Sequence, residues 1–190
     1  EHGYPPLPNF VAEQDLMATD SRFPYVLTSA KSGYFCHSQQ RSVASLRRKS
    51  PSPLLDISSE LAWEKGIADQ DWVRVTTRMG SARFRARLID SLHPRVLVGE
   101  FGWWQSCVPL GQPAMPVLGE ANSNYNSLID TQRVDPVSGS VPLRAFTCDV
   151  SREASEQLQP SRWKGYRPFV ITALEAQGED VTQASMQPLD

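Results

Sequence analysis

Residues 72–88 read WVRVTTRMGSARFRARL, and this stretch predicts a β-hairpin. Val73 and Val75 alternate with polar residues in its first half, which is the two-residue period of a strand with one buried face. Met79 and Gly80 supply the turn. In the second half, apolar or small residues at positions 82, 84, 86 and 88 alternate with arginines at positions 83, 85 and 87. We therefore expect one apolar and one cationic face.

The cationic face of this hairpin has two interpretations. Arginines on strand surfaces are mostly in contact with water, so a solvated outer face is the favoured interpretation. The alternative is a docking face for further domains of a larger protein.

Short apolar segments extend the β character on both sides of the hairpin. The further predicted strands are Phe23–Thr28, Leu54–Ile57, Val96–Val98 and Arg144–Val150. Strands that are separated by turns and outnumber helices favour a small closed β-barrel, because closure removes exposed strand edges. The predicted fold class is mainly β, a barrel with one or two short helices.

The clearest helix signal lies between residues 58 and 66. Ser58 or Ser59 can cap the start of a helix over Glu60–Lys65, and Gly66 can end it in a left-handed conformation. One or two further helical turns are predicted between residues 42 and 49, before two prolines stop them.

The length, composition and net charge of the chain limit the classes of function to consider. The chain has 190 residues, 40% of them hydrophobic, with a net charge of −2 and a pI near 6.0. Bulk charge thus gives no argument for a nucleic acid or a membrane surface as partner. Three cysteines without a Cys-x-x-Cys pair indicate neither a disulfide framework nor a metal site, so reduced cysteines in a cytoplasmic protein are the favoured interpretation.

Polar side chains cluster between residues 121 and 139. Asn122, Asn124 and Asn126 stand at alternate positions, and Asp135-Pro136-Val137-Ser138-Gly139 follows as a tight turn. An asparagine amide offers both donors and an acceptor, so such a cluster can bind a flat ring that carries both kinds of group. The turn residues fix the direction in which the cluster points.

The order of these segments resembles the C-terminal domain of molybdopterin oxidoreductases of the dimethyl-sulfoxide-reductase type. The resemblance covers roughly residues 21–150. It includes Leu27 to Lys31, His37 to Arg41, the helix and hairpin, Gly102-Trp103-Trp104, the asparagine cluster with its turn, and Arg144. It implies a double-psi β-barrel that holds a molybdopterin guanine dinucleotide with molybdenum or tungsten. Other domains of the parent oxidoreductase would hold the metal's protein ligand.

The resemblance also implies a set of cofactor-binding residues and no catalytic or metal-ligating residue within this chain. The set is Ser29, Ala30, Lys31, His37, Ser38, Gln40, Arg41, Trp104, Gln105, Asn124, Asn126 and Arg144. Some of them have a plainer alternative: Lys31 can be solvated, His37 can stabilise its own loop, and an asparagine pair can be a turn device. Of Trp103 and Trp104, at least one is expected in the core. Among the asparagines, Asn126 ranks first and Asn124 second.

Two positions depart from the family pattern. Ala30 and Gln70 stand where the family often has glycine. If Gln70 has a positive φ, it carries a strain of about 1 kcal/mol. These departures affect the shape of two loops and remove no polar group that the cofactor needs.

The sequence divides into three predicted regions: an extended lead-in at residues 1–20, the barrel at 21–152, and a linker with the start of another domain at 153–190. Residues 175–190 resemble the opening strand, turn and second strand of the flavin-binding barrel in ferredoxin-reductase-like enzymes. The resemblance implies a parent that carries FAD, and a 4Fe-4S cluster is a further expected group in other domains. Because an isolated hairpin is marginal in water, we expect residues 176–190 either to be mobile or to lie loosely on the barrel. The chain lacks an initiator Met and a signal peptide, and is expected to be an excised piece of a longer protein.

Two functions of different classes remain. The first is the cofactor-binding domain of a molybdenum or tungsten oxidoreductase that transfers oxygen atoms or electrons. The second is a double-psi-barrel adaptor that binds proteins without a cofactor, since fold alone does not fix function. Expected partners under the first are the remaining domains of the parent and the dinucleotide, with no nucleic acid and no membrane insertion.

Overall fold

Six strands close into a barrel in a computed structural model that describes residue 3 and residues 20–132, 134–135 and 137–153. The strands are β1 (Tyr25–Ala30), β2 (Leu54–Ile57), β3 (Trp72–Thr76), β4 (Ser81–Leu88), β5 (Val96–Glu100) and β6 (Phe146–Arg152). Their order around the barrel is β1-β5-β2-β4-β3-β6. The pairs β1–β5 and β2–β4 are parallel, and the other neighbours are antiparallel. The prediction of a mainly β, double-psi type of barrel with one or two short helices is confirmed.

The described chain also has two short α-helices, α1 (Ala44–Lys49) and α2 (Ser59–Glu64), and 3-10 turns at Val108–Leu110 and Tyr125–Leu128. Helix α2 begins as predicted, because Ser58 Oγ accepts a hydrogen bond of 3.1 Å from the backbone N–H of Leu61. Gly66 follows the helix with a φ of 64°. No described helix is long and apolar enough to cross a membrane.

The apolar face of the hairpin forms the centre of the core. Val73, Val75, Ala82, Phe84 and Ala86 are all fully buried. The side chains of Leu27, Leu55, Ile57, Leu97 and Val150 pack with them inside the barrel. Burying one such aliphatic or aromatic side chain contributes about 1.5–3 kcal/mol. The period-2 pattern therefore correctly identifies the side chains of the hairpin whose burial drives closure of the barrel.

The arginines of the cationic face also contact neighbouring side chains. Arg87 makes a two-pronged ion pair with Asp56 at 2.6 and 2.9 Å. Arg83 pairs with Glu153, and the guanidiniums of Arg83 and Arg85 lie 4.7 and 4.3 Å from the ring centroid of Trp72. The outer face is thus partly solvated, with Arg87 exposed and Arg83 and Arg85 half-buried, and acidic and aromatic neighbours also engage these arginines.

Two strand boundaries also differ from the prediction. β1 runs to Ala30 because Ser29 and Ala30 pair in register with Gly99 and Glu100 of β5. β6 begins at Phe146 because the preceding Ala145 has a φ of 63°, which interrupts extended backbone. Most of the predicted lead-in at residues 1–20 and tail at residues 153–190 lies outside the described residues, as do residues 176–190, so these expectations stay predictions.

Candidate functional site

Three loops enclose a pocket of about 350 Å³ in the described part of the chain. One loop follows β1, the second follows β5, and the third carries the asparagine cluster. The lining residues are His37, Ser38, Phe101, Gly102, Trp103, Trp104, Val117, Asn124 and Asn126. Loops on a rigid barrel are common carriers of binding groups, so this pocket is the candidate site.

The first two loops touch at Gly102. A Cβ at this position would lie 2.8 Å from Ser38 Cα and 2.9 Å from His37 O, and the φ of Gly102 is 82°. Only glycine satisfies both conditions, since any side chain would meet backbone atoms that have little room to move. The close approach makes the two loops adjoining walls of one pocket.

His37 has a backbone conformation that is uncommon for residues other than glycine. Its φ is 51°, and that of Gln40 in the same loop is 69°. A left-handed conformation costs an L-residue about 1–2 kcal/mol, and such strain is concentrated at binding sites. The His37 ring lies 6.2 Å from that of Phe101 between centroids, at the pocket edge. The fold thus holds an exposed imidazole against the pocket at an energetic cost.

Asn122 organises the third loop from the inside. Its side chain is buried and donates to Ser81 O at 2.9 Å and Gly119 O at 2.6 Å. Its Oδ1 accepts from the backbone N–H of Asn124 at 3.0 Å and from Ser127 Oγ at 3.3 Å. One buried amide therefore ties the loop to β4 and fixes its turn.

The other two asparagines have different environments. Asn124 Oδ1 accepts from the backbone N–H of Asn126 at 3.1 Å, and its Nδ2 donates to Val117 O at 3.1 Å. Asn126 is exposed, and its side-chain amide has no hydrogen-bond partner within the described residues. Asn124 is consequently engaged in shaping the loop, whereas the Asn126 amide is available to a ligand.

The tryptophan pair divides as expected, with one residue in the core. Trp103 is 1% exposed and its Nε1 donates to Glu100 Oε2 at 3.0 Å. Trp104 is 48% exposed and lines the pocket. An indole in this position offers a flat apolar surface to a ring.

Arg41 and Gln105 lie behind the pocket and do not line it. Arg41 is 1% exposed, and its guanidinium donates to two backbone carbonyls. Gln105 Oε1 accepts from the backbone N–H of Arg41 at 3.0 Å. In this structure the Arg41 guanidinium is thus bound to backbone carbonyls, and its contact with a cofactor stays a prediction.

Five further predicted residues lie away from the pocket. Ser29 and Ala30 belong to β1, and Lys31, Gln40 and Arg144 are exposed. Their membership of the site stays a prediction. The structure brings together His37, Ser38, Trp104, Asn124 and Asn126.

The pocket also has lining residues outside the predicted set: Phe101, Gly102, Trp103 and Val117. Gly102 and Trp103 adjoin Trp104 in a segment with a visible motif, which could have indicated them. No local sequence pattern marks Val117. It reaches the pocket through a hydrogen bond from Asn124 Nδ2, seven residues later, to Val117 O.

The groups around the pocket suit a flat, polar heterocycle. Asn126 can both donate and accept, His37 can do either according to its tautomer, and Trp104 offers a stacking face. Within the described residues, no group of three or more His, Cys, Asp or Glu side chains could hold a metal ion. A pterin, with alternating donors and acceptors on a fused ring, fits this set of contacts.

Residues 25–147 match the family described as "Molydopterin dinucleotide binding domain". A dopamine dehydroxylase from Eggerthella lenta is 32% identical over 125 residues, which are 65% of this chain and 12% of that protein. A putative catalytic subunit of dimethyl sulfoxide reductase from Halobacterium salinarum is 32% identical over 99 residues, 52% of this chain and 12% of that protein.

The barrel also resembles part of the solved structure of acetylene hydratase from Pelobacter acetylenicus, with a TM-score of 0.58 and 16% identity. That match covers 68% of this chain and 18% of the hydratase chain. The chain thus spans a small part of the proteins that it resembles. The family match extends from β1 into β6 and contains all three loops of the pocket, so the chain belongs to the molybdopterin dinucleotide-binding domain family.

Proposed function

We propose that the pocket binds a molybdopterin guanine dinucleotide within a larger molybdenum or tungsten oxidoreductase. The observation that carries this proposal is the exposed Asn126 amide, with His37 and Trp104 on the same pocket, inside the segment that matches the family. An adaptor without a cofactor gives no reason for three loops to converge on one polar pocket. The relatives support the enzymatic interpretation, since one is named as a dehydroxylase and another as part of a reductase.

The residues of the pocket have distinct tasks in this proposal. Asn126 and His37 bind the polar edge of the pterin, and Trp104 packs against its face. Asn124 and Asn122 keep the loop in position through their internal hydrogen bonds. The exposed cations Lys31 and Arg144 are candidates for phosphate contact. When bound, the metal centre of such a cofactor supplies oxygen-atom or electron transfer.

The remaining domains of the parent complete this proposal. They would supply the metal's protein ligand and the substrate channel, with a 4Fe-4S cluster and FAD as the electron carriers. A cytoplasmic location accords with Cys36, Cys107 and Cys148, which are unpaired in the structure.

The test uses the complete parent protein, expressed in a host that makes the cofactor. Mass spectrometry of metal and of acid-released GMP is expected to give molybdenum or tungsten with about two GMP per metal. The substitution Asn126→Ala should lower the amount of GMP retained per folded protein by about tenfold, because the pterin ring loses the donor and the acceptor of the Asn126 amide. Gln132→Ala is the matched control, since Gln132 is an exposed amide that does not line the pocket.

A wild-type protein that is free of metal and GMP would overturn the proposal and favour the adaptor. Equal GMP retention in the Asn126 and Gln132 variants would leave the family assignment intact but remove Asn126 from the site.

A further inference from the structure

Two walls of the pocket are joined by one buried guanidinium. Arg41 Nη1 donates to His37 O at 2.6 Å, in the loop that follows β1. Arg41 Nη2 donates to Phe101 O at 2.7 Å, in the loop that follows β5. These are the loops that meet at Gly102, so the fork spans the contact between them.

The Arg41 side chain packs against two aromatic rings. Its Cζ lies 4.5 Å from the ring centroid of Phe35 and 4.7 Å from that of Trp103. The backbone N–H of Arg41 donates to Gln105 Oε1, which adds a further tie to the loop after β5. A planar guanidinium held in this way has little freedom, and its two donors point in fixed directions.

Burial of this charge is costly for the protein. Burial lowers the pKa of Arg41 to about 10, against the opposing field of Glu100. Arg41 makes no ion pair at bonding distance with a carboxylate in the described chain, and its Nε has no hydrogen-bond partner there. Replacing a buried charge with an apolar side chain often leaves a protein equally stable or more stable. The burial of Arg41 therefore suggests a role other than stabilising the fold.

The backbone conformation of His37 indicates what this role is. The residue has a φ of 51°, and its carbonyl is the acceptor of the Arg41 Nη1 bond. Releasing this bond would let the loop relax toward an unstrained conformation, which would move the imidazole relative to Trp104 and Asn126.

We infer that Arg41 is a positioning residue, whose guanidinium sets the spacing of the two loops and the direction of His37 at the dinucleotide pocket. This inference rests on the proposed function for the identity of the ligand. Lysine cannot replace Arg41, because a single ammonium on a flexible stem cannot reach both carbonyls with fixed geometry.

Arg47 offers a matched control. It is equally buried, and its Cζ also lies 4.7 Å from the Trp103 ring. Its Nε donates to Pro51 O at 3.1 Å, and its Nη1 makes only two long contacts, with Arg41 O at 3.5 Å and Gln105 O at 3.4 Å. Hydrogen bonds at such distances are weak, and Arg47 makes none with His37 or Phe101 in the described structure. Arg47→Met should therefore destabilise the barrel while the short bonds of Arg41 keep the pocket walls together.

The experiment compares Arg41→Lys, Arg41→Met and Arg47→Met in the complete parent protein. Amide hydrogen exchange, followed by peptide mass spectrometry, reports residues 36–40 and 101–105 in protein stripped of cofactor. A second measurement follows the loss of GMP from cofactor-loaded protein after gel filtration and reports how tightly the pocket holds its ligand. The values are normalised to the folded fraction from a thermal melt. Both Arg41 variants should accelerate exchange in the two segments together and GMP loss by about tenfold, as for other groups that orient binding residues. Arg47→Met should change only the melting temperature.

The inference is overturned if the Arg41 variants behave as Arg47→Met does, or if only one of the two segments exchanges faster. A wild-type protein without GMP would instead refute the proposed function. The exchange measurement would still decide whether Arg41 joins the two loops.

Discussion

Gly80, in the turn between β3 and β4, lies directly against the backbone carbonyl of Ser127. A Cβ at Gly80 would lie 2.8 Å from Ser127 O, a separation that real Cβ atoms do not tolerate. Ser127 follows Asn126 in the 3-10 turn. The turn of the central hairpin therefore sets the position of the loop that offers its amide to the pocket.

Gly80→Ala is expected to destabilise the chain by about 1–3 kcal/mol, because the contacted atom is backbone and must shift. Urea unfolding measures the effect. Gly33→Ala is the control, since a Cβ at Gly33 meets no atom within 4 Å. Equal costs for the two variants would show that the loop moves away freely.

The contact at Gly102 can be separated from its backbone conformation. Gly102 and Gly111 both have positive φ, 82° and 61°, but only a Cβ at Gly102 would meet other atoms within 4 Å. Gly111→Ala should cost about 1 kcal/mol from the left-handed backbone alone. Gly102→Ala should cost a further 1–3 kcal/mol or so through overpacking against Ser38. Similar midpoints of denaturant unfolding would refute a tight contact between the loops.

Gln70 has a φ of 64°, which is the condition under which backbone strain is expected at this position. Replacing it with glycine should relieve about 1–2 kcal/mol of strain, of which greater freedom of the unfolded chain cancels about half. We expect a net gain of about 0.5 kcal/mol in the free energy of unfolding relative to Gln70→Ala. The alanine variant is the reference because it keeps the strain and loses the same side-chain hydrogen bonds. A glycine variant less stable than the alanine one would contradict the expectation.

Glu100 predicts a pH dependence. Burial raises the pKa of Glu100 above its ordinary 4.5, although the hydrogen bond from Trp103 opposes this shift. Between the ordinary and the raised pKa the folded state binds more protons than the unfolded state, so stability falls as pH rises through that window. Glu100→Gln lacks this contribution, which amounts to about 1.4 kcal/mol per unit of elevation.

The free energy of unfolding of the wild type, minus that of Glu100→Gln, should therefore decrease as pH rises through the window between the ordinary pKa of Glu100 and its raised value in the folded state. Denaturant unfolding at a series of pH values measures this difference. Parallel pH curves for the two proteins would show that Glu100 titrates in the folded state as it does in water.

The hairpin could be predicted from the sequence because its signal is local. Alternation between positions 72 and 88 reports directly which side chains are buried. The end of β1 could not be predicted in this way, since Ser29 and Ala30 become strand only by pairing with Gly99 and Glu100, some seventy residues later.

The site shows the same division. The asparagine cluster and Trp104 stand in segments whose polar or aromatic pattern is itself informative. The burial of Arg41 is invisible in sequence, because a polar loop predicts an exposed arginine. Phe35 and Trp103, which pack against it, come together only when the barrel closes. Likewise, the arginines at 83 and 87 find Glu153 and Asp56 through contacts between distant segments.

The first and last strands of the barrel are neighbours, and Tyr25 stands opposite Cys148 in their antiparallel ladder. A domain whose two ends emerge side by side can be carried within a longer chain as a cassette. The segments of the longer chain before and after the barrel can then lie close together without a long linker, so inserting the barrel costs little loop-closure entropy. The same geometry makes the barrel a candidate for circular permutation.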